Sequence, residues 1–445
     1  MSPRVEGPRI ASCTTAERLR RSRTTRISGK VLRVVASSNA LREYLAVGCA
    51  VAPPAARAYL QQLLDSSPGD ADRPVDILCR IVEEATVQRG HADVVIPLSG
   101  GYDSRGLLAV ALEILPARNI SCITFGTEES HDVMVAARVC ARVNVRHERL
   151  DPNTVVWDLD RFTAIGRALW ERWRSLARID SIAIYQALAD RIGDRPVLSG
   201  YLGDPISGKR IPHDAAARFG AGAVAAFLAR NQVTRLADPV DTERLETAIA
   251  TFIGEHEQED ALVASWPGLT DYDLLDIGFR QAGRIRAAVS GTYGLSITPY
   301  ADPRWVGYWM SRPLSERVRQ AAYRQLYREH FPRLFAEPPA SGLARWKRRV
   351  PVNIKRRLRR QPKQVDWVRS YFQRRGDPRR NHSMAAVLCD ATDAFDRREM
   401  TPEVSTRAAF ANVAEGQGTS DDVSVLRLAA SAEMYLRAGV LHAPA

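Results

Sequence analysis

Between Asp93 and Ser199 short apolar runs alternate with stretches of helical spacing, and that alternation leaves few folds open. Asp93-Val94-Val95-Ile96-Pro97-Leu98 is too short for a helix, Ser104 to Leu115 is helical and stops at Pro116, and Ile120 to Phe125 is a second apolar run. His131 to Val143 reads as a helix, followed by the run His147 to Leu150, a helix near Ser181 to Ile192 and the run Pro196 to Ser199. Strands separated by helices pair in parallel through right-handed crossovers. The expected fold is therefore α/β, a doubly wound parallel sheet with helices on both faces. Ala55 to Leu64 and Val75 to Gln88 precede it as helices, and Val423 to Leu436 closes the chain as another. From Asp214 to Phe335 no further strand is expected, which appends a helical half to the sheet.

These patterns divide the 445 residues into an Arg- and Ser-rich tail expected to be mobile (1–40), a helical leader (41–90), the α/β core (91–210), the helical half (211–342), a basic segment (343–385) and a C-terminal helical region (386–445). The formal charge is +12 and its excess is local: from Arg345 to Arg380, 15 Lys and Arg face only Asp366 and Asp377. Such a run either meets phosphates or an anionic surface, or is a solvated face. No RNA-binding motif accompanies it, so nucleic acid is not the expected partner. No stretch approaches the roughly 20 apolar residues of a membrane span, and no apolar region follows the basic start, so a cytoplasmic location is expected. Cys13, Cys49, Cys79, Cys122, Cys140 and Cys389 contain no C-x-x-C pair, which points to reduced thiols.

The chemistry gathers at two strand ends. In Leu98-Ser99-Gly100-Gly101-Tyr102-Asp103-Ser104 a buried run enters a glycine turn that opens a helix. Glycines let the backbone curl around an anion, while backbone N–H groups, the hydroxyls of Ser99 and Ser104 and the positive helix end converge on phosphate oxygens. Asp103 supplies a hard oxygen for Mg2+. The second site, Ser199-Gly200-Tyr201-Leu202-Gly203-Asp204, also follows a strand and delivers a carboxylate where open α/β sheets bind ligands. Asp103 and Asp204 are thus the candidate metal pair.

Ser99-Gly100-Gly101-Tyr102-Asp103-Ser104 resembles the SGGxDS loop of the asparagine synthetase family, whose relatives include β-lactam synthetase, and Gly200-Tyr201-Leu202-Gly203-Asp204 resembles its second motif. Weaker matches are Thr124-Phe125-Gly126 with Ser130-His131-Asp132, His147-Glu148 and Pro299-Tyr300-Ala301-Asp302, so the similarity spans roughly Leu41 to Gly342. The resemblance implies an adenine nucleotide alpha hydrolase-like sheet and a reaction in which a carboxylate is adenylated by ATP and passed to an amine, releasing pyrophosphate and AMP. It implies ATP contacts at Leu98, Ser99, Gly100, Gly101, Asp103, Ser104, Phe125 and Gly200. It also implies a proton-accepting role for Tyr201 with an acidic partner, for which Asp238, Asp241 and Glu243 lie at a plausible distance along the chain. The implied partners are a small-molecule or peptide carboxylate and an amine; a separate source of ammonia stays open.

Three departures qualify the resemblance. Ser2 stands where the family's glutaminases have their nucleophilic cysteine, and the 98 residues before Ser99 are too few for that domain as well as the helices, so no intrinsic glutaminase is expected. Pro205 replaces the acidic residue usual after the second Asp. The family lysine expected near Gln320 is absent, leaving Arg317 and Arg319 as the nearest cations and candidate catalytic residues. Gly203 to Lys209 approaches a Walker A loop, but Arg210 lacks the hydroxyl that loop requires. An RNA-modifying relative similar to tRNA lysidine synthetase and a non-catalytic nucleotide binder are the alternative readings. Arg105 points either to phosphate or to solvent, and Trp170 with Trp173 either lines a pocket or packs in the core.

Overall fold

The strand β1 (Val94–Pro97) lies at the centre of a five-stranded, all-parallel sheet whose order is β3-β2-β1-β4-β5. The computed structural model describes residues 38–49, 52–65, 73–128, 130–173, 175–231, 239–258, 266–336, 382–398, 406, 409 and 420–441. The basic tail expected up to residue 40, apart from its last three residues, and the basic segment Arg345 to Arg380 lie outside them.

β2 (Ile120–Phe125) pairs with β1 in the register Val94↔Ile120, and β3 (Arg146–Leu150) extends that side through Ser121↔Arg146. On the other side β4 (Val197–Leu198) meets β1 at Val95↔Val197. Val94, Val95 and Ile96 are all buried, as expected of a central parallel strand covered on both faces. The chain runs outward from β1 to β3 and then returns to the far side of β1 for β4. Strand order therefore reverses between β1 and β4, and the crevice beyond their carboxyl ends is where such sheets bind ligands.

The fifth strand, β5 (Ser296–Ile297), corrects the expectation that the region after Asp214 contains none: it pairs with β4 through Val197↔Ser296 and Leu198↔Ile297. Two paired residues, closely followed by Pro299, carry too little alternation to stand out from a helical surround.

The helices α1 (Ser38–Val47), α2 (Pro53–Leu64) and α3 (Pro74–Ala85) precede the sheet, and α4 (Tyr102–Ile114) leaves β1 and packs on α3. α5 (His131–Arg142) covers β2 and β3, while α6 (Leu159–Trp173) and α7 (Ile179–Ile192) lead back to β4. The sheet shares one apolar core with α2 to α5 and with Leu188 and Ile192 of α7. A second core joins α1, α6 and α7 to the late helices His382–Asp396 and Ser420–Arg437. Trp170 belongs to this second core and Trp173 packs against it, which favours packing as the role of that pair. Among the described residues, Cys49, Cys79, Cys122 and Cys140 are free thiols, and no helix is long and apolar enough to cross a membrane.

Candidate active site

β1 ends in the loop Leu98 to Gly101, and α4 starts at Tyr102 with Gly101 as its N-cap and no side chain capping it. An uncapped N-terminus leaves first-turn N–H groups for a ligand, backed by the helix dipole. The loop is held by its own serines: Ser104 Oγ accepts from Ser99 N at 2.9 Å, Ser99 Oγ lies 3.0 Å from Ser104 Oγ, and Gly101 N donates to Ser99 Oγ at 3.1 Å. Gly100 N donates to Asp132 Oδ1 at 2.8 Å, across from α5. Ser130 caps α5 by accepting from Val133 N, which sets Asp132 in its first turn.

Arg105 turns neither to a phosphate nor to solvent. It is fully buried, donates from Nε to Gly101 O at 2.9 Å and from Nη1 to Leu334 O at 3.2 Å, and its guanidinium lies over the rings of Tyr102 and Phe335. It ties the turn to the helix Pro332–Phe335.

After β4 the chain enters Ser199 to Leu202 and the short helix α8 (Gly203–Ile206). Leu202 takes φ +68°, a left-handed conformation unusual for a leucine, which turns Asp204 toward α4. A Cβ on Gly203 would lie 2.4 Å from Asp103 Cγ, so only glycine allows the second loop to approach the first this closely. The two carboxyl groups consequently adjoin: loss of hydration, followed by the neighbouring charge of Asp204, pushes Asp103 well above the usual carboxylate range. Two carboxyls so placed need a shared proton or a cation between them.

A cation does reach the pair. Lys209 Nζ lies 2.9 and 2.7 Å from the two carboxylate oxygens of Asp204, with both side chains nearly half exposed. On the opposite side stand tyrosines from the helical half. Tyr323 donates to Asp103 Oδ1 at 2.7 Å, Tyr300 donates to Asp103 O at 2.8 Å, and the hydroxyls of Tyr300 and Tyr327 are 2.9 Å apart.

The candidate residues Leu98, Ser99, Gly100, Gly101, Asp103, Ser104, Phe125, Gly200, Tyr201 and Asp204 all fall at the carboxyl ends of β1, β2 and β4 or just beyond. Thr124 Oγ1 donates to Leu98 O at 2.7 Å and so fixes β1 to β2 there. The Tyr201 hydroxyl is buried and accepts from that of Tyr59 on α2 at 3.2 Å. Burial pushes Tyr201 well above the ordinary phenol range and Tyr59 up to about 12. Of the carboxylates considered as a partner for Tyr201, Glu243 is exposed, and the side chains of Asp238 and Asp241 lie outside the described residues.

The two arginines do not join this group. Arg317 is fully buried and directs its guanidinium to the carbonyls of Pro205, Ile206 and Gly268 and to both oxygens of Asp273, at 2.9 and 3.2 Å, which occupies all five of its N–H bonds. Its task is to brace the chain directly behind Asp204. Arg319 is exposed, with Nε directed to His213 Nδ1 at 3.3 Å. Arg319 and Gln320 both have positive φ, and Gln320 Nε2 donates to Ser207 Oγ at 2.6 Å. The place where the family lysine is expected therefore faces the turn that carries Lys209.

The chain matches the family described as asparagine synthase over residues 78–414, three quarters of its length. The chain belongs to the asparagine synthase family. At that level it is an ATP-dependent amide ligase, and its parallel sheet agrees with the fold the resemblance implied. No curated protein matches closely enough to count as a relative. Among the described residues no group of three or more His, Cys, Asp or Glu side chains could hold a metal. Two adjoining carboxylates suit Mg2+, which is commonly held by one or two carboxylates with phosphate oxygens and water completing its shell. Sequence reading missed Lys209 and Tyr323 as parts of this group and named Asp132 only within the weaker match Ser130-His131-Asp132. One signal for Lys209 was available, since the chain has only five lysines and only this one stands near either loop.

Proposed function

We propose that this chain adenylates a carboxylate with ATP and transfers the acyl group to an amine, forming an amide. The observation that carries the reading is the meeting of Asp103 and Asp204 beside the uncapped start of α4, where strand order reverses. A donor carboxylate oxygen attacks the α-phosphorus, the bond to the β-phosphate oxygen breaks and pyrophosphate leaves. The amine nitrogen then attacks the acyl carbon, the bond to the AMP oxygen breaks, and the nitrogen gives up a proton.

In this reading Ser99, Ser104 and the first-turn N–H groups of α4 receive phosphate oxygens, with Leu98, Phe125 and Gly200 beside the nucleotide. Asp103 and Asp204 would hold Mg2+, which would supply charge neutralisation for the triphosphate. We assign to Lys209 the cationic part that sequence reading gave to Arg317 and Arg319. Lys209 Nζ is paired with Asp204 as it stands and, on its flexible stem, could turn to a phosphate oxygen. Asp132 and Arg105 hold the loop in place. Incubation with ATP, Mg2+ and an extract of host small molecules, followed by mass spectrometry, is expected to give AMP and pyrophosphate in step with a new amide. ADP as the product would overturn the reading.

Tyr201 is the residue for which geometry and resemblance pull apart. A buried hydroxyl with a raised pKa and a second tyrosine as its partner is rarely ionised near neutral pH and is poorly placed to accept a proton. We therefore propose that Tyr201 positions the second loop. Tyr201→Phe is expected to keep both substrate-dependent ATP–pyrophosphate exchange and amide formation within about tenfold of wild type, against the ~10² to 10⁴ loss typical of a missing general base. Loss confined to amide formation would restore the proton-accepting role.

A further inference from the structure

Arg319 and Gln320 are consecutive residues with left-handed backbone, φ +61° and +58°, and neither is a glycine. Such a conformation is costly for a residue with a Cβ, and strain of this kind collects where function requires it. The side chain of Gln320 shows what is held in place. It is buried, its Oε1 accepts from Arg324 Nε and Nη2 at 3.3 and 3.1 Å, and its Nε2 donates to Ser207 Oγ at 2.6 Å. A guanidinium only donates, so the amide has one orientation, with its oxygen toward Arg324 and its nitrogen toward Ser207. Arg324 is partly buried and lies over the ring of Tyr102, the first residue of α4, with its guanidinium carbon 5.7 Å from the ring centre.

Ser207 has one hydroxyl proton. With Gln320 donating to its oxygen, that proton goes to Asp204 O at 3.1 Å, and the same carbonyl accepts from Lys209 N at 3.0 Å. These two bonds close the turn that folds the Lys209 side chain back onto the Asp204 carboxylate. The guanidinium of Arg317 holds the entry of this turn through the carbonyls of Pro205 and Ile206. Its exit depends on Gln320, which among the described residues supplies the one hydrogen bond to Ser207, Gly208 or Lys209 from outside 203–211. Gly208, at φ +84°, allows the two turns to lie together, since a Cβ there would clash with Arg317 O.

We propose that Gln320 is a positioning residue for Lys209: through Ser207 it fixes the turn from which the ammonium reaches the pyrophosphate that leaves. This rests on the ligase reading above and on the part given there to Lys209. A lysine stem is flexible, so the ammonium gains direction only from the backbone that carries it. With the Gln320–Ser207 bond removed the charge persists, but the turn has more conformations to give up on binding, and affinity for the phosphates falls. The strained pair Arg319 and Gln320 is the means by which the amide, standing just before the helix Ala321–His330, is turned to Ser207.

The test is a double-substitution cycle on the full chain. Gln320→Leu removes both amide contacts at similar volume, and Leu202 shows that a leucine is accepted at such a φ in this chain. Titration calorimetry with pyrophosphate and Mg2+ is expected to show binding weakened about tenfold, the scale of one hydrogen bond to a well-placed group. ATP–pyrophosphate exchange should fall by a similar factor through the KM for pyrophosphate, with kcat little changed. In a Lys209→Met background the same substitution is expected to change binding by less than about twofold, because the group through which it acts is gone. Ser207→Ala removes only a hydroxyl, should behave as Gln320→Leu does, and takes its place should that variant fail to fold. A loss that multiplies with that of Lys209→Met, or pyrophosphate binding in Gln320→Leu and Ser207→Ala equal to that of wild type, would overturn the proposal, as would no pyrophosphate binding by wild type. Exchange separates the two readings. Wild-type exchange with the host extract that Gln320→Leu leaves intact keeps the ligase reading and overturns this one, whereas pyrophosphate binding that needs both Gln320 and Lys209, in a chain without exchange, does the reverse.

Discussion

Asp103→Ala is expected to lower substrate-dependent ATP–pyrophosphate exchange and AMP formation by ~10² to 10³, the usual effect of removing one group that stabilises developing charge. The loss should not come from unfolding. Hydration lost around Asp103 and the adjoining Asp204 disfavour its charged form, so the wild-type chain carries an unfavourable pair of carboxyls that the variant relieves. The thermal midpoint of Asp103→Ala is therefore expected to equal or exceed that of wild type, as is common where function keeps a destabilising group in place. Within the same series, Lys209→Met should cost about 10- to 100-fold in exchange. Its stability should barely change, since a partly exposed ion pair contributes at most about 1 kcal/mol. Wild-type exchange in Asp103→Ala would remove the metal pair from the site, and a lowered midpoint would make Asp103 a folding residue.

Arg317→Met is expected to act in the opposite manner, reducing folding stability by about 3 to 5 kcal/mol, the range for breaking a buried charge pair by removing one partner. Arg317 has no exposure, and its removal leaves Asp273 with only the N–H and hydroxyl of Thr270, at 3.1 and 2.8 Å, among the donors described here. The carbonyls of Pro205, Ile206 and Gly268 each lose a donor as well, Pro205 O keeping only Gly208 N among those described. Urea unfolding followed by circular dichroism measures the change. A stability near that of wild type combined with a large loss of AMP formation would return Arg317 to the phosphate.

Much of the sheet could be read from the chain because β1, β2 and α4 obey local rules: a buried apolar run, a glycine turn and a helix closed by proline. The two loops were legible for the same reason, each being one continuous segment. What escaped depends on contacts between segments distant in sequence. Tyr323 reaches Asp103 across 220 residues, and Arg317 reaches Asp273 across 44, and no local pattern announces either partner. An arginine near a phosphate loop reads the same in sequence whether it faces a ligand or braces a turn. Only its surroundings separate the cases, and here every donor of Arg317 is engaged by the protein. β5 was lost for a different reason, since its two residues derive their strand character from β4 and not from their own spacing.

The late helix Ser420–Arg437 reaches back to the start of α7, where Ser431 Oγ accepts from Ile179 N at 2.8 Å and Tyr435 donates to Ala177 O at 2.9 Å, contacts that span 252 and 258 residues. α7 leads directly into β4 and from there to Asp204. During synthesis the segment that seats α7 therefore leaves the ribosome long after α7 itself. Closing such long loops is slow, and the second apolar core stays open to solvent and to other nascent chains until it happens. The step that completes the Asp204 side of the site is thus expected to wait for translation of the last helix, and chains that stop short of it are expected to form the Ser99 to Ser104 loop while its counterpart stays unsupported.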